Sequence, residues 1–529
     1  MLINAGSLVG TTAVTSILGI AYWWIAARRF PPEAVGIASA SISAMTLLGG
    51  FSILGLGTLL ITELPRQPDR AGSLISTALI VAGGVGGCVG IMFAVFASYV
   101  SPSFNPLGAN ILDVVIFASG VSLTAISLVL DPALIGLLRG ELQFWRNTLV
   151  AVTKLVALFI VSLWISGEGS ITIYTTWAIG NALSLMALAA FFAFKEGWPG
   201  RKFLPQWVLL RKLGFAALQH HLLNLTLQSP VLILPVLVTA LLSSTMNAWF
   251  YVAWMIANFV FFIPNALTIV LHAMNSAQQS TLARKARVTM SFGLVIIVAA
   301  NCLLLFATKQ VLSVFGKVYA DQALWTLRIL VLAAFPLIIK YHYISICRIQ
   351  DRIARAMLGM LPGGILELGA AALGAHLGGL TGLSVGWVVA IYVEAMFMIH
   401  TVYKTILSSK TSALSTRQHP GTEAVSLVET SPLPTVGQTY KVVEAIWHMK
   451  TPLMSDVKPP AIREPDTGKK FVQQYENRYV RASRHRLKPP RLQPYTPHDS
   501  DTYITDTGVG CQFLEGSFDN GTIVEDEMV

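Results

Sequence analysis

Long apolar runs broken by short polar segments recur to about residue 403: at about 5–27, 35–61, 73–99, 111–135, 148–166, 171–194, 214–239, 246–272, 289–308, 328–347, 357–377 and 379–403. Each is long enough to cross roughly 30 Å of hydrocarbon at about 1.5 Å per residue. The pattern predicts an all-α membrane protein of about twelve transmembrane helices. The first run starts almost at Met1 with no charged leader and extends past the usual length of a cleaved signal, so it is read as a span.

The connection "KEGWPGRKFLPQWVLLRK", residues 195–212, falls halfway through the spans and mixes Pro, Gly, Trp and charge, as a linker between two six-helix lobes would. A weak internal repeat agrees. Shifting the chain by 212 positions sets "EAVGIASAS" (33–41) on "TMNAWFYVA" (245–253), and Thr12 and Ser16 on Asn224 and Gln228. The expected division is 1–200 for an N-terminal lobe, 201–404 for a C-terminal lobe and 405–529 for a largely disordered tail. Within the tail, the basic block "RYVRASRHRLKPPR" (478–491) precedes an end from His498 to Val529 that holds eight acids and no Lys or Arg. It reads either as a solvated polyampholyte or as a patch docking on anionic lipid or a synthesis enzyme.

Composition fits a bilayer: 54% hydrophobic residues against 12% charged is too apolar for an ordinary soluble enzyme. The net charge of +10 is confined to the membrane part, since residues 1–403 hold 22 Lys/Arg and 12 Asp/Glu while the tail holds 15 of each. That distribution argues for lipid orientation and an anionic substrate, and against nucleic acid. With the N-terminus in the cytoplasm, inner loops and ends collect sixteen basic residues, and the outer loops only Arg28, Arg29, Lys309, Lys317 and Arg328. Both termini are therefore expected inside, and "AARRFPPEAVGIASA" (26–40) becomes an outer hairpin. There Arg28 and Arg29 either anchor head groups or meet a departing anion.

Polar side chains are costly in lipid and should face a cavity or a packed interior. Asn4, Thr11, Thr15 and Tyr22 share one face of the first span; His221, Asn224 and Gln228 one face of the seventh; Asn247, Tyr251, Asn258 and Asn265 one face of the eighth. They predict a shared wet cavity suited to sugar hydroxyls, with interhelical hydrogen bonding as the alternative. Among ionisable residues, Lys340, Glu367 and Glu394 fall near mid-membrane, Lys154 about a third of the way into its span, and Asp131 before Pro132. The lysines are candidates for a phosphate or pyrophosphate, and Glu367 and Glu394 for proton coupling. The structural alternatives are a buried Lys–Glu pair, a snorkelling Lys154 and a capping Asp131. Cys88, Cys302, Cys347 and Cys511 have no CxxC or Cys/His spacing, and His220, His272, His342, His376 and His400 none of a ligand set. No metal site, disulfide framework or cofactor is expected, and no catalytic motif argues for an enzyme.

The hairpin at 26–40, "LGLGTLLITELPR" (54–66) and "LPVLVTALLSSTMNAWFYVAWMIANFVFFIPNAL" (234–267) at the equivalent place in the second half resemble the multidrug/oligosaccharidyl-lipid/polysaccharide (MOP) flippase superfamily. The likeness is to its polysaccharide-biosynthesis branch and covers about residues 1–403. It implies a MATE-like pair of six-helix bundles rocking between inward- and outward-open states, and a glycan on polyprenyl pyrophosphate as substrate. Implied partners are that lipid-linked oligosaccharide, membrane lipids, and a glycan polymerase or glycosyltransferase complex. The drug-antiporter branch carries acids in its first or seventh helix, which this chain lacks. The peptidoglycan-precursor branch has two more helices and a cluster of cavity arginines, also lacking. A drug or cation antiporter of the same fold and a non-transporting scaffold for glycan enzymes remain the alternatives.

Overall fold

The computed structural model describes residues 2–164, 169–196, 205, 207, 215–275, 282–350 and 352–415. The expected tail beyond residue 415, its basic block and most of the central linker lie outside them, whereas 405–415, expected to be disordered, continue the last helix. The first half forms α1 (Leu2–Arg29), α2 (Pro32–Ser52), α3 (Leu56–Glu63), α4 (Ala71–Val100), the short α5 (Asn105–Gly108), α6 (Ile111–Gly136), α7 (Gly140–Trp164) and α8 (Ser170–Glu196). The second half forms α9 (Phe215–Leu241), α10 (Ser244–Asn275), α11 (Leu282–Ser313), α12 (Lys317–Gln322), α13 (Leu324–Val331), α14 (Ala334–Ile349) and α15 (Ile353–Ser415). Eleven stretches of the described chain are long and apolar enough to span a bilayer. The last, Ile353–Ile406, holds two spans joined at Gly378 and Gly379, where the backbone leaves helical geometry. Gly379 has φ 58°, a left-handed conformation that glycine adopts without a Cβ clash. The expected architecture of twelve spanning helices is thus observed.

Three boundaries differ from the periodicity. The second span is cut at Leu54 (φ 51°) and Gly55 (φ 83°), so α3 follows as a separate helix. The fifth span starts at Gly140 rather than near 148, because the polar first turns of α7 are folded into the protein: Arg146 is buried and pairs with Asp131 at 3.0 Å. The tenth span starts at Leu324 and is divided between α13 and α14.

In the first half α4 packs on α6, α1 on α7 and α7 on α8; in the second, α9 and α14 pack on α15, and α10 on α14. The seam between the halves is made by α2 against α9 and α10. Small residues set its depth. A Cβ on Gly36 would run into the carbonyl oxygen of Ser244 and lie 3.1 Å from the backbone nitrogen of Ala248. Gly36 and Ala248 are partners under the 212-residue shift, so equivalent positions of the repeat meet across the seam. Asn247 locks the contact, its Nδ2 donating to the Gly36 carbonyl (2.8 Å) and to Ser39 Oγ (3.0 Å). Gly36→Ala should force the two helices apart, at about 1–3 kcal/mol for overpacking; a lower melting temperature of the purified protein in detergent checks this.

Candidate functional site

A cavity of about 690 Å³ lies between the halves. Its wall is built from α1 (Thr12, Ser16, Gly19, Ile20, Trp23), α2 (Ser43), α9 (Val231, Leu232, Pro235), α10 (Tyr251, Trp254, Met255, Asn258, Phe259, Phe261, Phe262, Asn265) and Tyr341 of α14, with Ala13 and Ile17. The repeat reappears here: the same shift carries Gly19, Ile20 and Trp23 onto Val231, Leu232 and Pro235, and Ser43 onto Met255, all in the wall. Among the described residues the lining includes no charged side chain. Broad aromatic faces with a few hydroxyls and amides offer stacking to an uncharged polar ligand and hydrogen bonds to its hydroxyls. Trp23 and Tyr251 meet from opposite halves at 4.6 Å between ring centroids, and Asn258 is held beside Trp254 by donating to its carbonyl (2.7 Å).

Of the residues expected to share a wet face whose side chains are described, Tyr251, Asn258 and Asn265 line this cavity and the others do not. On α1 the lining face is Thr12, Ser16 and Trp23, one residue removed from the Thr11–Thr15–Tyr22 stripe. Thr15 Oγ1 instead donates to the Thr11 carbonyl (2.7 Å), a bond within the helix. Tyr22 is fully buried and bonded to the Ile173 carbonyl and Thr176 (both 2.8 Å). Asn247 serves the seam, the interhelical alternative. On α9, His221 is buried with Nε2 unpartnered, Asn224 accepts from Arg348, and Gln228 is exposed. The side chain of Asn4 lies outside the described residues. The 212-residue shift had already singled out Thr12 and Ser16; Trp23 and Trp254 gave no signal, because an aromatic in an apolar run reads equally well as core.

The ionisable residues meet behind the wall rather than in it. Lys340 Nζ lies 2.5 Å from Glu367 Oε1 and 2.7 Å from Glu394 Oε2, and all three side chains are buried. Trp387 Nε1 donates to the other oxygen of Glu367 (2.8 Å). Neither oxygen of Glu394 receives an aligned hydrogen bond, and its carboxyl packs on the backbone of Gly363. Trp387 also packs edge-on against Trp254 at 4.7 Å, so one aromatic contact separates the charge cluster from the cavity. In the first half, the Lys154 ammonium is buried 3.3 Å above the Trp177 ring and 5.5 Å from that of Tyr22, a cation–π site. Neither lysine therefore stands in the cavity wall, a correction to their placement as pyrophosphate ligands, and Lys154 does not snorkel. Asp131 caps nothing: α6 runs through Pro132, and the carboxylate accepts from Asn147 while paired with Arg146.

Where α1 and α11 end, the halves are latched. Arg28 Nε donates to the Val314 carbonyl (2.9 Å), Arg28 Nη2 to that of Ser313 (3.2 Å), and Trp24 Nε1 to that of Val314 (3.0 Å). The guanidinium thus sits on the carbonyl end of α11, where cations are favoured. The two roles foreseen for Arg28 give way to this one.

Long apolar helices throughout the described residues, a cavity between the first and second halves of the chain and charge buried beside it define a multi-pass membrane protein. The fold is similar to that of solved MATE transporters. At 15% identity, the chain superposes on the inward-facing conformation of a multidrug resistance MATE family transporter with a TM-score of 0.60, covering 78% of this chain and 99% of that one. The outward-facing conformation of such a transporter gives 0.51 at 15% identity, covering 77% and 95%. A MOP superfamily transporter from Pyrococcus furiosus, described as having a binding pocket of reversed polarity, also gives 0.51 at 15%, covering 76% and 94%. Residues 1–220 match the model of the family described as polysaccharide biosynthesis protein. The family match lies within the first half of the chain and, with the likeness of fold, agrees with the resemblance drawn from the sequence. No curated protein sequence matches significantly.

Two outcomes follow from the buried groups. Removing one member of a buried ionic set costs about 3–5 kcal/mol because the others are left uncompensated. Lys340→Met should therefore lower the melting temperature sharply, and the added changes Glu367→Gln and Glu394→Gln should restore most of it. Arg28→Ala should loosen the latch; in a variant lacking native cysteines, Ser16→Cys should then react several-fold faster with an impermeant maleimide added on the latch side.

Proposed function

We propose that the protein moves a lipid-linked oligosaccharide, a glycan on polyprenyl pyrophosphate, across a bacterial inner membrane for surface polysaccharide synthesis. The single observation that carries this reading is the uncharged cavity of aromatic faces, hydroxyls and amides between the two halves. Its volume of about 690 Å³ suits a short glycan. The lipid tail stays in the bilayer while the head group is sheltered, and the two lobes rock about the α2 seam to expose it alternately to each side. The basic inner loops support a topology with both termini in the cytoplasm. The match to polysaccharide biosynthesis proteins supports the substrate class over a drug, and the likeness of fold to solved transporters supports transport.

Glu367, Glu394 and Lys340 are the coupling group of this proposal. One ammonium against two carboxylates leaves an unbalanced negative charge in a low-dielectric interior, which a single proton on the carboxylates cancels. Contact through Trp387 and Trp254 gives that proton a path of influence to the occupied cavity.

The test is translocation of a fluorescent lipid-linked oligosaccharide in proteoliposomes under an imposed pH gradient. Trp254→Leu and Asn258→Ala should each slow it about tenfold, as expected for about 1.4 kcal/mol of lost ligand contact. Glu394→Gln should remove the dependence on the gradient. Uptake of cationic dyes with no movement of the glycan lipid would overturn the reading. An unchanged gradient dependence in both Glu367→Gln and Glu394→Gln would sink the coupling role alone.

A further inference from the structure

An anionic substrate needs a cation, yet the cavity wall has none and both mid-membrane lysines are engaged elsewhere. We propose that Arg348, presented by Asn224, is a subsite for the diphosphate group, set at head-group depth below the glycan cavity; this rests on the lipid-linked substrate proposed above.

Arg348 lies in the last turn of α14, next to the end of the span Leu324–Ile349. One Nη2 donates to Asn224 Oδ1 at 2.7 Å, while Nε is buried with no partner. None of the ion pairs among the described residues includes Arg348. Its charge is therefore oriented but not cancelled. A neutral amide fixes the guanidinium where a carboxylate would also have neutralised it. Arg146 and Arg28 differ: the first is matched by Asp131, the second by helix-end carbonyls.

Two helices lead from the cavity to this arginine. On α14, Tyr341 lines the cavity and Arg348 follows seven residues later; on α9, Asn224 precedes the lining residue Val231 by seven. Seven residues return to within about 20° of the same helix face and advance about 10 Å. Arg348 thus stands two turns from the cavity along the same faces, with the exposed Gln228 between. The buried, unpartnered Nε2 of His221 lies one turn beyond Asn224 on α9.

The depth suits the chemistry. A diphosphate joined to a lipid tail stays at the interface, where the span ends, while its sugars extend toward the aromatic wall. The guanidinium fork matches two phosphate oxygens, which an ammonium does not.

The test is calorimetric titration of the full-length protein in zwitterionic nanodiscs with a polyprenyl diphosphate, competed by inorganic diphosphate or by neutral polyprenol. Arg348→Gln and Asn224→Asp should each weaken binding about tenfold or more, the second by placing a carboxylate on the guanidinium. Arg348→Lys should fall between them and the native protein. Should Arg348→Gln fail to fold, Asn224→Asp still decides. Competition by inorganic diphosphate supports recognition of the anion itself; binding of polyprenyl diphosphate that neither inorganic diphosphate nor polyprenol displaces supports a membrane-anchored source of the same anion. Native affinity in Arg348→Gln or Asn224→Asp, or equal competition by polyprenol, overturns the subsite. Native binding by Arg348→Gln alongside slowed translocation in Trp254→Leu leaves the transport reading standing. Lost binding in Arg348→Gln, with no glycan lipid moved by the native protein, leaves the subsite and removes that reading.

Discussion

The costliest constraint on this chain is that a charge inside a bilayer must be met by protein. Lys340, Glu367 and Glu394 answer it with a closed cluster drawn from three successive spans and capped by the indole N–H of Trp387. The same cost explains the pairing of Asp131 with Arg146 and the bed of Trp177 and Tyr22 under Lys154. Because these groups are used up inside the bundles, the cavity between them is left to aromatic, hydroxyl and amide side chains. An uncharged cavity is thus a consequence of where the charges had to go.

The seam holds the two sides of that cavity together. Gly36 lets α2 and α10 touch through their backbones, and Asn247 ties them near the ends where both helices begin. The Arg28 and Trp24 latch lies at the same end, where α1 and α11 finish. Its partners are carbonyl oxygens at the end of one helix, exposed and held by three hydrogen bonds, each of which contributes about 1 kcal/mol net. In the proposed transport cycle a contact of that size can be broken and remade, and the packed seam is the pivot of that proposal.

Much of this was legible in the amino-acid order. Apolar run length fixed the number of spans, since a bilayer imposes one length on every crossing. The 212-residue shift pairs positions that touch at the seam and others that both line the cavity. Tyr251, Asn258 and Asn265 were legible because amides are rare enough in lipid to demand a reason. Trp23 and Trp254 were not, because a ring that lines a cavity and a ring that fills a core have the same sequence neighbours.

Sequence alone determined that this chain spans a membrane with twelve helices in a repeated arrangement, and which polar residues needed a partner. Only the tertiary structure decided what each partner is: that Lys340 turns to two glutamates, that Asn247 joins helices, and that Thr12 rather than Thr11 faces the cavity. The physical reason is rotational. One residue turns a helix by about 100°, and a side chain's surroundings are set by which helix packs against that face, a fact carried by residues hundreds of positions away.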